Sequence, residues 1–187
     1  MGTETRLNID RLWHGEEALS SERVEVAFTL AGPSLHVTVD ASFHGDPAPP
    51  APPGRTDGLW NYEVVELFLA NEAGHYLELE FGPHSHFLAL QFDGIRQLVR
   101  QQPPLSYRAA IMGRRWQGWA TVPLAGLPTD LTLANAFAIH GLGCERRYLA
   151  ACPLPGPRPD FHQPHRFVSF TTVSADDRAR PAAPGPD

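Results

Sequence analysis

Trp60, Glu63 and Glu66 stand three residues apart in the run Leu59-Trp60-Asn61-Tyr62-Glu63-Val64-Val65-Glu66-Leu67-Phe68-Leu69. An aromatic ring at the mouth of a strand can stack on a ligand. A carboxylate threaded among apolar residues needs a cation, a donor or a polar ligand. Trp60 follows a Pro/Gly-rich turn and has two readings, a stacking platform or a plug over the core corner. In a strand, residues an odd number apart point to opposite faces, so Glu63 and Glu66 cannot form a close acid–base pair without a bulge. Glu66 can pair with Glu78 on the next strand or serve as a general base. Its structural alternative is a carboxylate bonded to Arg108, Arg146 or Arg147.

A second group, His140, Arg146, Arg147 and Tyr148, lies across the turn Gly141-Leu142-Gly143. Arg can hold a carboxylate or phosphate bidentately, and His140 could act as acid or base. The alternative is an exposed hairpin. The turn lacks the third glycine and following helix of a nucleotide-binding fingerprint. Among the nine histidines, His84 and His86 are two apart, and His162 and His165 could add ligands. No HExxH is present and no carboxylate sits at ligand spacing beside them, so we expect no metal and no cofactor. His86 is expected on the apolar side of its strand.

The elements that must position these groups read as strands separated by Pro, Gly and Asp. Candidates span 23–30, 34–43, 62–69, 75–81, 86–93, 105–112, 115–122, 135–141, 145–151 and 166–172. No long helical period occurs; 12–20 and 124–128 have room for a turn or two. Many short strands without intervening helices predict an antiparallel sandwich or barrel. Alternation places Val65, Leu67, Leu69, Leu77, Leu79 and Phe81 on one face. A four-residue turn at 82–85 would then put His86, Leu88, Leu90 and Phe92 on that core side. The opposite, polar face would carry Glu66, Tyr76, Glu78, Glu80, Phe87, Ala89 and Gln91, with Arg108 as counter-charge. Pro47 to Pro53 cannot be regular sheet, since proline donates no ladder hydrogen bond. A single domain over 1–174 is expected, followed by a disordered Pro/Ala-rich tail over 175–187.

Bulk properties narrow the function classes. The 187 residues carry a formal charge of −6, which disfavours nucleic acid as main partner. No span of about twenty apolar residues is present, so no membrane partner is expected. All fifteen basic residues are Arg, a bias that reflects genome composition, and a bacterial source is expected. Cys144 and Cys152 fit neither a disulfide framework nor a CxxC metal pattern. With no secretory h-region after Met1, a cytoplasmic protein is expected.

Trp60-x-x-Glu63-x-x-Glu66 with the alternation that follows resembles the central strand of family-nine carbohydrate-binding modules and DOMON-like domains. Trp116-Gln117-Gly118-Trp119-Ala120-Thr121-Val122-Pro123 resembles their strand ending in proline, and Asn135 to Gly141 the strand after it. Asp160 to Phe167 resembles their closing His-x-Pro-x-x-Phe element. The shared words Leu59 to Glu66, Pro104-Leu105-Ser106-Tyr107-Arg108, Phe137 to Gly141 and Pro159-Asp160-Phe161-His162 resemble most an uncharacterised family in the DOMON-like group, which includes a vertebrate open-reading-frame product. The likeness runs from about residue 12 to 172.

This resemblance implies an all-β antiparallel sandwich with Trp60 stacking on a sugar ring, Glu63 beside it, and Trp119 as a second stacking tryptophan. The expected function is a module holding a small polar ligand, a saccharide or sugar acid, through Trp60, Glu63, Glu66, Tyr76, Glu78, Arg108, Trp119, His140 and Arg146. The alternatives are a small hydrolase or isomerase using Glu66 or His140 as general base, and a protein-interaction sandwich without a ligand site.

Overall fold

The computed structural model describes residues 3–101 and 103–170. The tail expected over 175–187 lies outside the described residues. Fourteen strands follow in chain order: β1 (Glu4–Ile9), β2 (Arg11–Leu12), β3 (Val24–Ala31), β4 (Ser34–Ser42), β5 (Gly54–Arg55), β6 (Val64–Ala70), β7 (His75–Phe81), β8 (His86–Asp93), β9 (Leu98–Gln101), β10 (Ser106–Met112), β11 (Arg115–Pro123), β12 (Leu133–His140), β13 (Arg147–Ala150) and β14 (Val168–Ser169). Every strand run read from the sequence overlaps one of them. The short β1, β2, β5 and β9 carry too few alternating apolar residues to stand out. Residues 12–20 supply only the end of β2 and a bridge from Arg11 to Glu17, and the single 3-10 turn nearby is Ser20–Glu22.

The strands form two sheets, β1-β3-β4-β11-β10 and β2-β13-β12-β6-β7-β8-β5, with β9 on β8 and β14 on β12. All pairings are antiparallel except β5 with β8. The expected antiparallel sandwich is therefore the fold. The inward faces interdigitate through Val26, Phe28, Leu35, Val37, Trp116 and Val122 from the five-stranded sheet and Val65, Leu67, Leu69, Leu77, Leu79 and Phe81 from the other. Burying each large side chain contributes about 1.5–3 kcal/mol.

A second apolar cluster lies on the outer face of the larger sheet. It comprises Phe68, Tyr76, Leu88, Leu90, Phe92 and Phe137, covered by Leu154, Phe161 and Phe167 from the chain after β13. The fully buried Asn135 ties that segment down. Its Nδ2 donates to Cys152 O at 2.8 Å, and its Oδ1 accepts from Cys152 N at 3.0 Å.

This arrangement corrects the expected faces of β8. Phe81 pairs with Phe87, Glu80 with Leu88 and Glu78 with Leu90. Gly82 N donates to His86 O at 2.8 Å, so the turn has three residues, not four, and Ser85 closes it in the left-handed region at φ 63°. One residue fewer in the turn moves every β8 side chain to the other face. Phe87 and Ala89 therefore join the inter-sheet core, while Leu88, Leu90 and Phe92 share the face of the acids. The face expected to be polar is a second, largely apolar core with carboxylates inside it.

Candidate ligand-binding site

Cross-strand register builds the site. Phe137, Glu66, Glu80 and Leu88 form one row across β12, β6, β7 and β8, and Asn135, Phe68, Glu78 and Leu90 form the next. Glu66, Glu78 and Glu80 are 2%, 4% and 0% exposed. Each offers a carboxylate oxygen within 4.8 Å of the others. Glu78 Oε2 and both Glu80 oxygens are buried without a hydrogen-bond partner. The backbone N–H of Trp60 acts on Glu80 from outside hydrogen-bond geometry.

Desolvation dominates the electrostatics of this trio. It holds Glu66 and Glu80 well above the usual carboxylate range, reinforced by the neighbouring acids, and raises Glu78 to about 8 against the pull of Arg96.

Above these acids opens a cavity of about 370 Å³, lined by Glu66 and Glu78 at its base and by Trp60, Phe92, Tyr148 and Phe161 on its walls. Arg96, Asp160 and His162 complete the rim. Trp60 sits on a 3-10 turn, Leu59–Asn61, entered through Gly58 at φ 71°. Leu59 is fully buried and anchors the turn, and Trp60 is left 45% exposed. Arg146 pins the same turn by donating to Trp60 O at 2.5 Å and Gly141 O at 3.1 Å. Its guanidinium lies 5.8 Å from the Tyr148 ring centroid.

On the opposite rim, Arg96 adopts a left-handed φ of 57° and pairs with Asp160 at 2.7 Å. Tyr76 Oη accepts from Arg96 N at 3.0 Å and is hydrogen-bonded to His162 Nδ1 at 2.7 Å. Burial, helped by Arg96, lowers His162 to about 4, so it is neutral at pH 7.

The cavity thus gathers Trp60, Glu66 and Glu78 from the expected set, with Tyr76 buried beneath and Arg146 behind the Trp60 turn. Other candidates lie elsewhere. Arg108 and Trp119 are cross-strand partners on β10 and β11 in the five-stranded sheet, the guanidinium 4.7 Å from the ring centroid. Their parity turns them away from the inter-sheet core, so Arg108 is no counter-charge to the acids and Trp119 no second wall of this cavity. Glu63 is turned the other way from Glu66, and its oxygens accept from His44 N, Gly45 N and Asp46 N at 3.0, 3.0 and 3.3 Å. It holds a loop and is absent from the cavity lining.

His140 also lies outside the cavity. It bonds Glu22 at 3.0 Å and stacks on His44 with centroids 3.5 Å apart, while Arg147 pairs with the same Glu22. The histidines considered as metal ligands are scattered. His84 edges onto Phe43, His86 donates to Ala51 O at 2.9 Å, His162 is on the cavity rim and His165 is exposed on a turn. Among the described residues, the group with ligand atoms close enough to share an ion is the carboxylate trio, without a histidine.

Sequence reasoning missed Arg96, Asp160, Tyr148 and Phe161 as cavity residues. Pro159-Asp160-Phe161-His162 was visible as a family word, but that it folds back over β7 and β8 was not.

A twisted two-sheet sandwich with a Trp-edged cavity on the outer face of its larger sheet has the fold of a carbohydrate-binding module. A candidate carbohydrate-binding protein from Bacteroides uniformis superposes with a TM-score of 0.66 at 15% identity, over 89% of this chain and 86% of that one. A family-nine module from Caldicellulosiruptor kristjanssonii, solved with cellotriose, gives 0.55 at 12% identity over 95% and 88%. By sequence the chain belongs to the UPF0462 family. It is 38% identical over 169 residues to the UPF0462 protein C4orf33 homolog of Danio rerio, covering 84% of this chain and 86% of that protein. It is 36% identical over 171 residues to UPF0462 protein C4orf33 of Homo sapiens, covering 87% and 85%. No family model matches the chain. The uncharacterised family and the fold resemblance expected from the sequence are both borne out. These relatives are vertebrate and lend no support to a bacterial source. No helix among the described residues is long and apolar enough to cross a membrane.

Proposed function

We propose that the chain is a binding module that holds a small polar ligand of monosaccharide to disaccharide size in the Trp60 cavity. The observation that carries this reading is one concave site that combines a half-exposed Trp60 with the buried carboxylates of Glu66 and Glu78. Trp60 supplies a stacking face, and the acids accept from ligand hydroxyls. The fold shared with a cellotriose-binding module supports a saccharide by analogy alone.

Isothermal titration against mono- and disaccharides and sugar acids tests the reading. Binding that Trp60→Ala removes while the protein stays folded is the expected result; saccharide binding untouched by Trp60→Ala overturns it. The hydrolase or isomerase alternative would need turnover that Glu66→Gln abolishes, and His140 is poorly placed to assist from beside Glu22. Both cysteines are free, which suits the reducing cytoplasm as the setting of this module.

A further inference from the structure

Beneath the cavity lie more buried carboxyl groups than the protein's own side chains satisfy. Three carboxylates crowd within 4.8 Å, all at least nine-tenths buried, with Glu78 Oε2 and both Glu80 oxygens unpartnered. Hydroxyls of a saccharide can donate hydrogen bonds to them but bring no charge. The protein's own cations face the site without reaching these oxygens. Arg96 is held by Asp160, and Arg146 by main-chain carbonyls of Trp60, Tyr62 and Gly141. His162 Nε2 stays 3.8 Å from Glu78 Oε2 and its Nδ1 is engaged by Tyr76.

Above the acids the walls are rings: Trp60, Phe92, Tyr148 and Phe161. Aromatic faces attract a cation within about 6 Å of the centroid and pack against the C–H face of a sugar. A bare divalent ion would use only the carboxylates. It asks for about six or more oxygen ligands and would leave a cavity of about 370 Å³ and its aromatic walls unfilled.

From this geometry we propose that the ligand carries a protonated amine, and that an amino sugar is the class that fits, its ammonium seated over Glu66 and Glu78, the two acids that line the cavity, and its ring against Trp60. The proposal rests on the cavity being the binding site, as argued above. The ammonium supplies the N–H donors and the positive charge that the carboxylates lack. Because burial favours the protonated form of these acids, seating an ammonium beside them favours ionisation of a carboxyl and release of its proton. The remaining charged and titratable groups facing the site are Arg96, Arg146, Asp160, His162, Tyr76 and Tyr148.

The experiment is titration calorimetry of the full chain with matched pairs: glucosamine with glucose, galactosamine with galactose, and cyclohexylamine with cyclohexanol. Calcium and manganese chloride are titrated alone. At pH 7 we expect an amino sugar to bind at least tenfold tighter than its neutral partner. The heat should vary with the ionisation enthalpy of the buffer, as proton release requires. Glu78→Gln should cut that preference to threefold or less, and Glu66→Gln, a second near-isosteric variant, should do the same should the first unfold. Equal affinity for glucosamine and glucose overturns the amine and leaves the saccharide reading standing. Cyclohexylamine binding as well as the amino sugars retains the amine and removes the sugar. No binding by any amine overturns the proposal, and if the neutral sugars fail too the cavity reading falls with it. A metal chloride that binds and displaces the amines overturns it in favour of an inorganic cation.

Discussion

Glu66 on β6 and Glu80 on β7 are direct cross-strand partners, side by side on a buried face with no cation bonded to either among the described residues. Like charges opposite each other in an antiparallel pair are destabilising even at a surface. In a core, burial and the neighbouring acid raise both above the usual carboxylate range and favour the protonated form, and this makes stability depend on pH in a definite direction. A carboxyl whose folded pKa is raised binds its proton more tightly in the folded state. Its contribution is complete below the unfolded value of 4.5 and is lost as pH rises through the folded value, about 8 for Glu78.

Between pH 7 and 9, urea-unfolding stability should therefore fall as pH rises, by up to about 1.4 kcal/mol per pH unit for each proton lost. Glu80→Gln should flatten that slope and raise stability at pH 9. A stability flat from pH 7 to 9 in the parent protein would falsify the buried-acid account.

The acid side of the stability curve belongs to other residues. His44 and His140 stack in parallel, 3.5 Å apart, and burial with mutual repulsion lowers His44 to about 4. A histidine with a depressed folded value contributes stability that is complete above its unfolded value of 6.5 and is lost as pH falls toward 4. His44→Phe keeps the stacked ring without the titration. It should remove about 1.4 kcal/mol per pH unit of slope between pH 6 and 4.5, read by chemical unfolding at fixed pH. An unchanged slope counts against the stacked pair as the acid-sensitive element.

Glu63 is predicted to matter for folding rather than for binding. Its oxygens are the acceptors for three backbone N–H groups in the loop that leaves β4. Glu63→Ala should cost about 2–4 kcal/mol in urea unfolding, because it leaves partly buried donors unpaired. Calorimetry on the folded fraction should give unaltered affinity for whichever sugar the parent protein binds.

Trp60→Ala separates the two functions in the other sense. Half of the side chain is already in water, so the melting midpoint should move little, with a change of about 1 kcal/mol or less. Saccharide affinity should drop by tenfold or more, since stacking on the ring is lost. A large loss of stability with affinity retained would return Trp60 to the role of a corner plug.

Much of the fold was legible because its main strands alternate cleanly. Val65, Leu67, Leu69 and Leu77, Leu79, Phe81 are a period-2 signal no helix can mimic, and the prolines from Pro47 to Pro53 mark chain that cannot pair. The face assignment of β8 was not legible. It depends on whether the turn after Phe81 contains three residues or four, and Pro83-His84-Ser85 does not announce that Ser85 will take a left-handed conformation. Arg108 failed as a counter-charge for a related reason. Strand identity alone does not say which sheet a strand enters, and β10 joins β11 in the sheet opposite the acids.

What the sequence determined by itself was a sandwich of alternating strands, a Trp at a loop-to-strand corner, and acids in β6 and β7 that needed an explanation. Only the tertiary structure decided what surrounds those acids. The segment Leu154 to Phe167 folds back over Phe68, Phe92 and Phe137, turning an expected polar face into an enclosed one. Contacts so distant along the chain follow from burying that second apolar surface, and no local pattern around Glu66, Glu78 or Glu80 encodes the lid that desolvates them.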